Sequence, residues 1–156
     1  MTGTSSGLRP VFPSDEVLLP AFVDLVATAS GAWVNTGLSL VLPVPGKYEI
    51  SATLHTVIAT NQSSGSFNIA IVGRLWNATA GAAVAGSQYT VQQTLDNDPT
   101  SFNSDADSAT FHRFITVTAP TTIRLEVARI NTSGTPVPTT GLQNANTRLA
   151  FKKISD

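Results

Sequence analysis

Apolar and polar residues alternate along much of this chain, most regularly around a Pro-Gly corner. Before the corner, Leu38, Leu40 and Leu42 are separated by Ser39 and Val41; after it, Tyr48, Ile50, Ala52 and Leu54 are separated by Glu49, Ser51 and Thr53, with His55 next. A period of two puts one set of side chains on each face of a β-strand. Pro45 fixes φ and Gly46 accepts positive φ, so a turn joins the two strands. Trp33 lies just upstream.

The same signal recurs to the C-terminus. Short strands are expected over residues 32–35 and 38–42, and a long one over 47–60. Phe67, Ile69 and Ile71 alternate with Asn68 and Ala70 in a strand running on to Leu75-Trp76, where Gly73 marks a bulge or a close backbone approach. Residues 77–81 read as a turn and 83–95 as a strand with Tyr89, Val91 and Gln93 on one face. Phe111, Arg113, Ile115 and Val117 share a face of a strand over 109–118. Ile123, Leu125 and Val127 oppose Arg124, Glu126 and Ala128 over 121–130. Leu149 and Phe151 point inward from a closing strand over 147–154. The polar stretches 61–66, 96–108 and 131–146 read as loops. Residues 22–29 fit a strand or a single helical turn, and periodicity leaves the two open.

Eight or more strands with Gly/Pro turns and no sustained helical period imply an all-β sandwich, with a jelly roll as the specific expectation. Its terminal strands are expected to be neighbours. The length of 156 residues fits one domain that buries about 70% of its unfolded surface. Residues 1–16 read as an extended arm in which Pro10 and Pro13 bracket Val11 and Phe12, and residues 17–156 as the sandwich.

Composition narrows the function classes. Only 12% of residues are charged, against about 25% in ordinary domains; Thr, Ser, Asn, Gln and Ala take their place. Such a surface suits packing against copies of itself or a large assembly. The net charge of −1 comes without a basic stripe, which disfavours nucleic acid as a partner. No apolar run reaches the length of a membrane-spanning helix, no secretory leader pattern is visible, and the absence of cysteine removes disulfides and thiolate metal sites.

Trp33, Thr36-Gly37, the alternating leucines and Pro45-Gly46-Lys47-Tyr48 opening a long strand resemble the first half of C1q/TNF-like jelly rolls, in particular those on tailed bacteriophage particles. Residues 75–84 and 117–125 resemble phrases found in small phage virion proteins. The resemblance spans roughly residues 20–155 and brings no catalytic motif. It implies a non-enzymatic homotrimer on the virion, made in the host cytoplasm. The expected role is a capsid decoration protein that binds the major capsid protein on the outer shell and stabilises it, with Val11 and Phe12 as the docking arm. The alternative is a tail-tip or fibre head recognising host carbohydrate, with loops 61–66, 96–108 and 131–146 as the site and Trp76 and Tyr89 as stacking residues. The trimer implied by the resemblance would turn one sheet of each subunit to its axis, with Tyr48, Phe111, Arg113, Arg129 and Phe151 as candidates there; plain core aromatics with exposed arginines are the other reading of those five.

Other chemistry finds little support. His55 and His112 lack a third ligand at metal spacing, and no serine sits in a nucleophile motif. Asp96, Asp98, Asp105 and Asp107 offer oxygen ligands that would suit Ca²⁺, but without the glycine and terminal glutamate of an EF-hand loop. The expectation is therefore no catalytic residues, no cofactor and no metal.

Overall fold

The structure is a computed structural model that describes residues 12–60, 66–97, 102–134 and 139–156. In these it contains ten strands and no helix: β1 (Ser14–Leu18), β2 (Val23–Asp24), β3 (Val34–Leu42), β4 (Gly46–Thr60), β5 (Phe67–Asn77), β6 (Ala82–Ala83), β7 (Tyr89–Asp96), β8 (Asn103–Val117), β9 (Thr121–Ser133) and β10 (Thr140–Ser155). They form two antiparallel sheets. The first runs β1-β10-β4-β8, with β2 also on β10; the second runs β3-β9-β5-β6, with β7 also on β5. From β2 to β5 and from β7 to β10 each strand lies in the other sheet from the one before it, as in a jelly roll, and the first and last strands pair as neighbours.

The alternation in the sequence decides what lies between the sheets. From the first sheet, Tyr48, Ile50, Ala52, Leu54 and Ile58 point inward with Leu149, Phe151 and Phe111. From the second, Leu38, Leu40, Leu42, Phe67, Ile69, Ile71, Leu75, Ile123, Leu125 and Val127 meet them. Tyr48 is fully buried, so its hydroxyl needs a partner; it donates to the Val44 carbonyl at 2.8 Å, and the ring meets Phe151 edge-on at 5.5 Å. Of the two readings of Gly73, the structure shows a close approach, while the nearby bulge belongs to the partner strand β7 at Val91. The β5–β7 register shifts beside Gly73, and a Cβ there would lie 2.9 Å from Leu54 Cδ2 across the sandwich.

Several boundaries differ from those expected. Ser14, Asp15 and Glu16 belong to β1 rather than the arm, because β10 offers an edge to pair with. Residues 22–29 yield only the two-residue β2. The two short strands before the corner are one irregular strand, β3. The expected strand over 83–95 is broken: the Ser87 hydroxyl takes both the amide and the carbonyl of Leu75, standing in for ladder bonds between β6 and β7. In β7 the bulge buries Val91 and Gln92 together, so Gln93 is exposed instead of sharing a face with Val91. The polar stretches 96–108 and 131–146 are shorter as loops than expected, since β8, β9 and β10 extend into them. Pairing with the long apolar β4 overrides the weak strand propensity of Asp105, Asp107 and Ser108.

The sandwich has two distinct ends. β4, 15 residues long, spans roughly 45 Å at about 3.3 Å per residue. At its Gly46 end lie Phe12, Pro13 and the C-terminal residues: the Lys153 amide donates to the Pro13 carbonyl, the Lys153 amine sits 5.8 Å from the Phe12 ring centre and also reaches Asp156. At the Thr60 end, β4, β5, β7, β8, β9 and β10 all terminate beside the connections 61–65, 98–101 and 135–138.

Gly46 holds the first end together. Its φ is +144°, and a Cβ would come within 2.6 Å of the Ser155 carbonyl oxygen and 2.3 Å of Lys153 Cε. Gly46→Ala is expected to lower stability by more than ~2 kcal/mol, read as a shift in the urea midpoint, whereas Gly81→Ala, with open space around it but also positive φ, is expected to cost only about 1 kcal/mol.

Candidate functional sites on the two outer faces

With the inner faces consumed by the core, function falls to the outer faces and the ends. The two outer faces are unlike. On the first sheet, strand parity brings Ser51, Thr53, Val57 and Ala59 of β4 beside Ser104, Ala106, Ser108 and Thr110 of β8 and Ala150 of β10. Thr53 and Thr110 hydroxyls join at 2.9 Å across the strands. These side chains are mostly small and uncharged, but His55 lies among them between Thr53 and Val57, and Arg148 is in register with Thr53. Around them stand apolar residues exposed to solvent: Leu18 (61%), Phe22 (42%), Phe102 (57%) and Phe114 (60%). Towards the Thr60 end, Phe22, Val57, Ala59 and Phe102 line an open hollow of about 510 Å³ that also touches Thr139, Gln143 and Asn144. Charge on this face lies at the Gly46 end, where Lys47 lies over Phe114 and Glu49 faces His112 at 3.2 Å, and midway along β4, where Arg148, in register with Thr53, faces Glu16 at 3.5 Å.

The outer face of the second sheet carries the most concentrated charge cluster. Arg74 on β5 is in register with Glu126 on β9, and Trp76 with Arg124. Arg74 donates through Nε (2.9 Å) and Nη2 (2.7 Å) to Glu126 Oε2; Arg124 donates through Nε (2.9 Å) and Nη2 (2.6 Å) to Oε1. One carboxylate thus serves two guanidiniums, and all four bonds are of the charge-assisted kind. The Arg74 guanidinium lies 4.0 Å from the Trp33 ring centre and 4.8 Å from that of Trp76, and Arg124 lies 5.6 Å from Trp76, within range of cation–π attraction. Glu126 is buried although it points outward, because these side chains cover it. Trp33 and Trp76 are the two tryptophans of the chain.

The residues expected at a subunit interface separate into different environments. Tyr48, Phe111 and Phe151 are buried in the core of the single chain, so their rings are not surface for a second subunit. Arg129 is also buried: its Nε donates to the Leu25 carbonyl at 3.0 Å and its Nη2 to that of Thr28, clamping residues 25–28 against β9. Burial lowers its pKa from the ordinary arginine value. The register expected for Arg129 is right; the side chain satisfies its charge with loop carbonyls. Arg113 is exposed at the sandwich rim beside Gly86. Of the docking-arm residues, Phe12 is partly buried beside Lys153, and Val11 lies outside the described residues. Tyr89 is exposed and stacks on Phe111 at 5.9 Å, well apart from the Trp76 cluster in its contacts.

The aspartates expected to suit Ca²⁺ are divided. Asp105 and Asp107 lie on β8, opposite Ile58 and Thr56 of β4; Asp96 ends β7; Asp98 is outside the described residues. Among the described residues no three acidic or histidine side chains converge as a metal site. His55 and His112 stand on separate strands, the latter engaged with Glu49. The Trp33–Arg74–Trp76–Arg124–Glu126 cluster was missed in the sequence as a group. Its one legible sign was the mixed pair Arg124 and Glu126 on the polar face of the clearest strand.

No protein-family model and no curated protein matches this chain. Among solved structures it is similar to a chain of the T13 particle of infectious bursal disease virus, at 12% identity and a TM-score of 0.52 over 98% of this chain and 35% of that one. It is also similar to the VP2 protein of the same virus in T=1 particles, at 13% identity and a TM-score of 0.51 over 98% of this chain and 36% of that one. A lower TM-score, 0.36, accompanies the TNF Eiger of S. frugiperda, at 16% identity over 92% of this chain and 86% of that one. The chain spans about a third of the viral chains it matches. Likeness at this identity shows the fold, the jelly-roll sandwich.

Glu126 is the keystone of the second face. Glu126→Ala leaves two guanidiniums facing each other without their shared anion and is expected to cost about 2–3 kcal/mol, somewhat below a fully buried pair because Arg124 is 31% exposed. Chemical denaturation monitored by tryptophan fluorescence reads both the loss and the changed indole environment.

Proposed function

We propose that the protein is a non-enzymatic structural component of a virus particle, a homotrimer that decorates the capsid shell of a tailed bacteriophage. The observation that carries this reading is the outer face of the first sheet. Many of its central residues on β4 and β8 are small and polar or apolar, with His55 and the Arg148–Glu16 pair among them, and it exposes Leu18, Phe22, Phe102 and Phe114 around them. Solvated alone, these apolar side chains are unfavourable; covered by neighbouring subunits they supply the apolar core of an interface, with the polar residues between them available for hydrogen bonds. The preferred occupants are two further copies of the chain, with this face of all three turned towards a threefold axis so that each contacts both neighbours. The jelly-roll likeness to chains of a virus particle and the resemblance to trimeric phage proteins support the choice. Interface residues are accordingly reassigned from Tyr48, Phe111 and Phe151 to this face.

The two-ended shape supports a polarity. Phe12 and Pro13 lie beside Lys153 at the Gly46 end, so an arm preceding them would engage the shell from that end of the sandwich. Three arms on one trimer would bind at high effective concentration even if each is weak.

Light scattering coupled to gel filtration is expected to give three times the chain mass. Ala106→Glu, on an exposed position and so within about 0.5 kcal/mol of neutral for folding, is expected to yield monomers with an unchanged melting profile. A wild-type monomer at micromolar concentration would overturn the trimer. Removing residues 1–11, which spares the Pro13 carbonyl bonded to Lys153, is expected to abolish binding to purified capsids and leave the trimer intact; saturation of capsids by the truncated protein would overturn the arm's role.

A further inference from the structure

The charge cluster on the second sheet is not used by the proposed assembly, and its chemistry is incomplete as a purely structural ion pair. Two cations share one anion, leaving an excess of one positive charge. Each guanidinium spends its Nε–Nη2 edge on Glu126. A guanidinium has five N–H donors, and among the described residues no acceptor meets Nη1 of Arg74 or Arg124. Glu126 fixes both planes and so preorganises the remaining edges for a second oxyanion. Beside them, Trp76 is only partly buried, and the neighbouring β6 residues Ala82 and Ala83 are small and exposed, with Ala83 directly opposite Trp76. A few fixed polar groups next to an aromatic surface is the composition of a small-ligand subsite.

We propose that the Trp33–Arg74–Trp76–Arg124 ledge binds an acidic sugar unit, a pyranose bearing a single carboxylate or sulfate. Its oxyanion is taken by the outward guanidinium edges and its apolar ring face lies against Trp76. A polyacidic peptide is the less suited ligand. The chain as a whole is weakly charged and net negative, so it offers no long-range attraction to a polyanion, and recognition here depends on one local charge plus stacking.

The two tryptophans both belong to the ledge, so tryptophan fluorescence, excited at a wavelength that tyrosine does not absorb, reports this place alone. The full-length protein is titrated with 3′-sialyllactose, lactose 6-sulfate, lactose and triglutamate, following fluorescence and heat. Saturable binding of an acidic sugar at least tenfold tighter than lactose or triglutamate supports the proposal; the better of sialyllactose and sulfated lactose identifies the oxyanion. Arg124→Gln is expected to weaken that binding at least tenfold and Arg124→Lys less, with circular dichroism melting used to show that both variants fold. Equal responses to lactose and sialyllactose, stronger binding of triglutamate, or unchanged affinity in folded Arg124→Gln would each overturn it. Trimer formation and capsid binding test the other face, so the outcome here is separable from the fate of the assembly reading.

Discussion

The pairing of β4 with β8 on one side and β10 on the other is the constraint on which the molecule depends. β4 lies between them in the middle of the first sheet, and its even-numbered residues from Tyr48 to Ile58 supply much of that sheet's contribution to the core. A one-residue slip would turn all of them to solvent and bring Glu49 and His55 inside. The corner before β4 is correspondingly over-determined: Gly46 has the positive φ and the lack of a side chain that let the C-terminal strand close against it, and Tyr48 caps the core there with its hydroxyl on Val44. That closure also places Phe12 and the C-terminus together, which is why the chain has one end for its N-terminal segment and another for its long connections.

Once the core is satisfied, the two outer faces are chemically independent, and they have diverged. The first has small residues, His55 and the Arg148–Glu16 pair along its middle and exposed large apolar side chains around them. The second concentrates charge into one group of five residues, in which a buried glutamate is offset by two arginines and two indoles. Buried ion pairs of this kind seldom add much net stability, because desolvation opposes attraction. Their effect is to hold side chains in one geometry, here two guanidiniums each fixed through Nε and Nη2 on one carboxylate.

Arginine placement shows how the same residue type acquires different roles. Arg124 and Arg129 lie on one strand, five positions apart and on opposite faces. Arg124 joins the outer cluster, while Arg129 turns along the inner edge to the carbonyls of Leu25 and Thr28 and secures the segment that precedes β3. That segment delivers Trp33 to Arg74, so the inner clamp and the outer cluster are joined through residues 25–33.

The sequence by itself determined the class of fold and most inward residues. Alternation in 38–42, 47–58, 67–75 and 121–127 reflects a local rule, that neighbouring side chains on a strand point to opposite faces, and it needs no knowledge of partners. It also made the Pro45-Gly46 turn and the constraint at Gly73 legible. Only the tertiary structure decided the rest, because the rest depends on which strand lies beside which. Polar residues 103–108 became strand through pairing with β4. Tyr48, Phe111 and Phe151 proved to be core because the opposite sheet covers them. Phe22, Phe102 and Phe114 came to one face, and Trp33, Arg74, Trp76, Arg124 and Glu126 to the other, from segments far apart in the chain. Alternation tells a side chain which way to point; the order of strands in the sheet decides what it meets there.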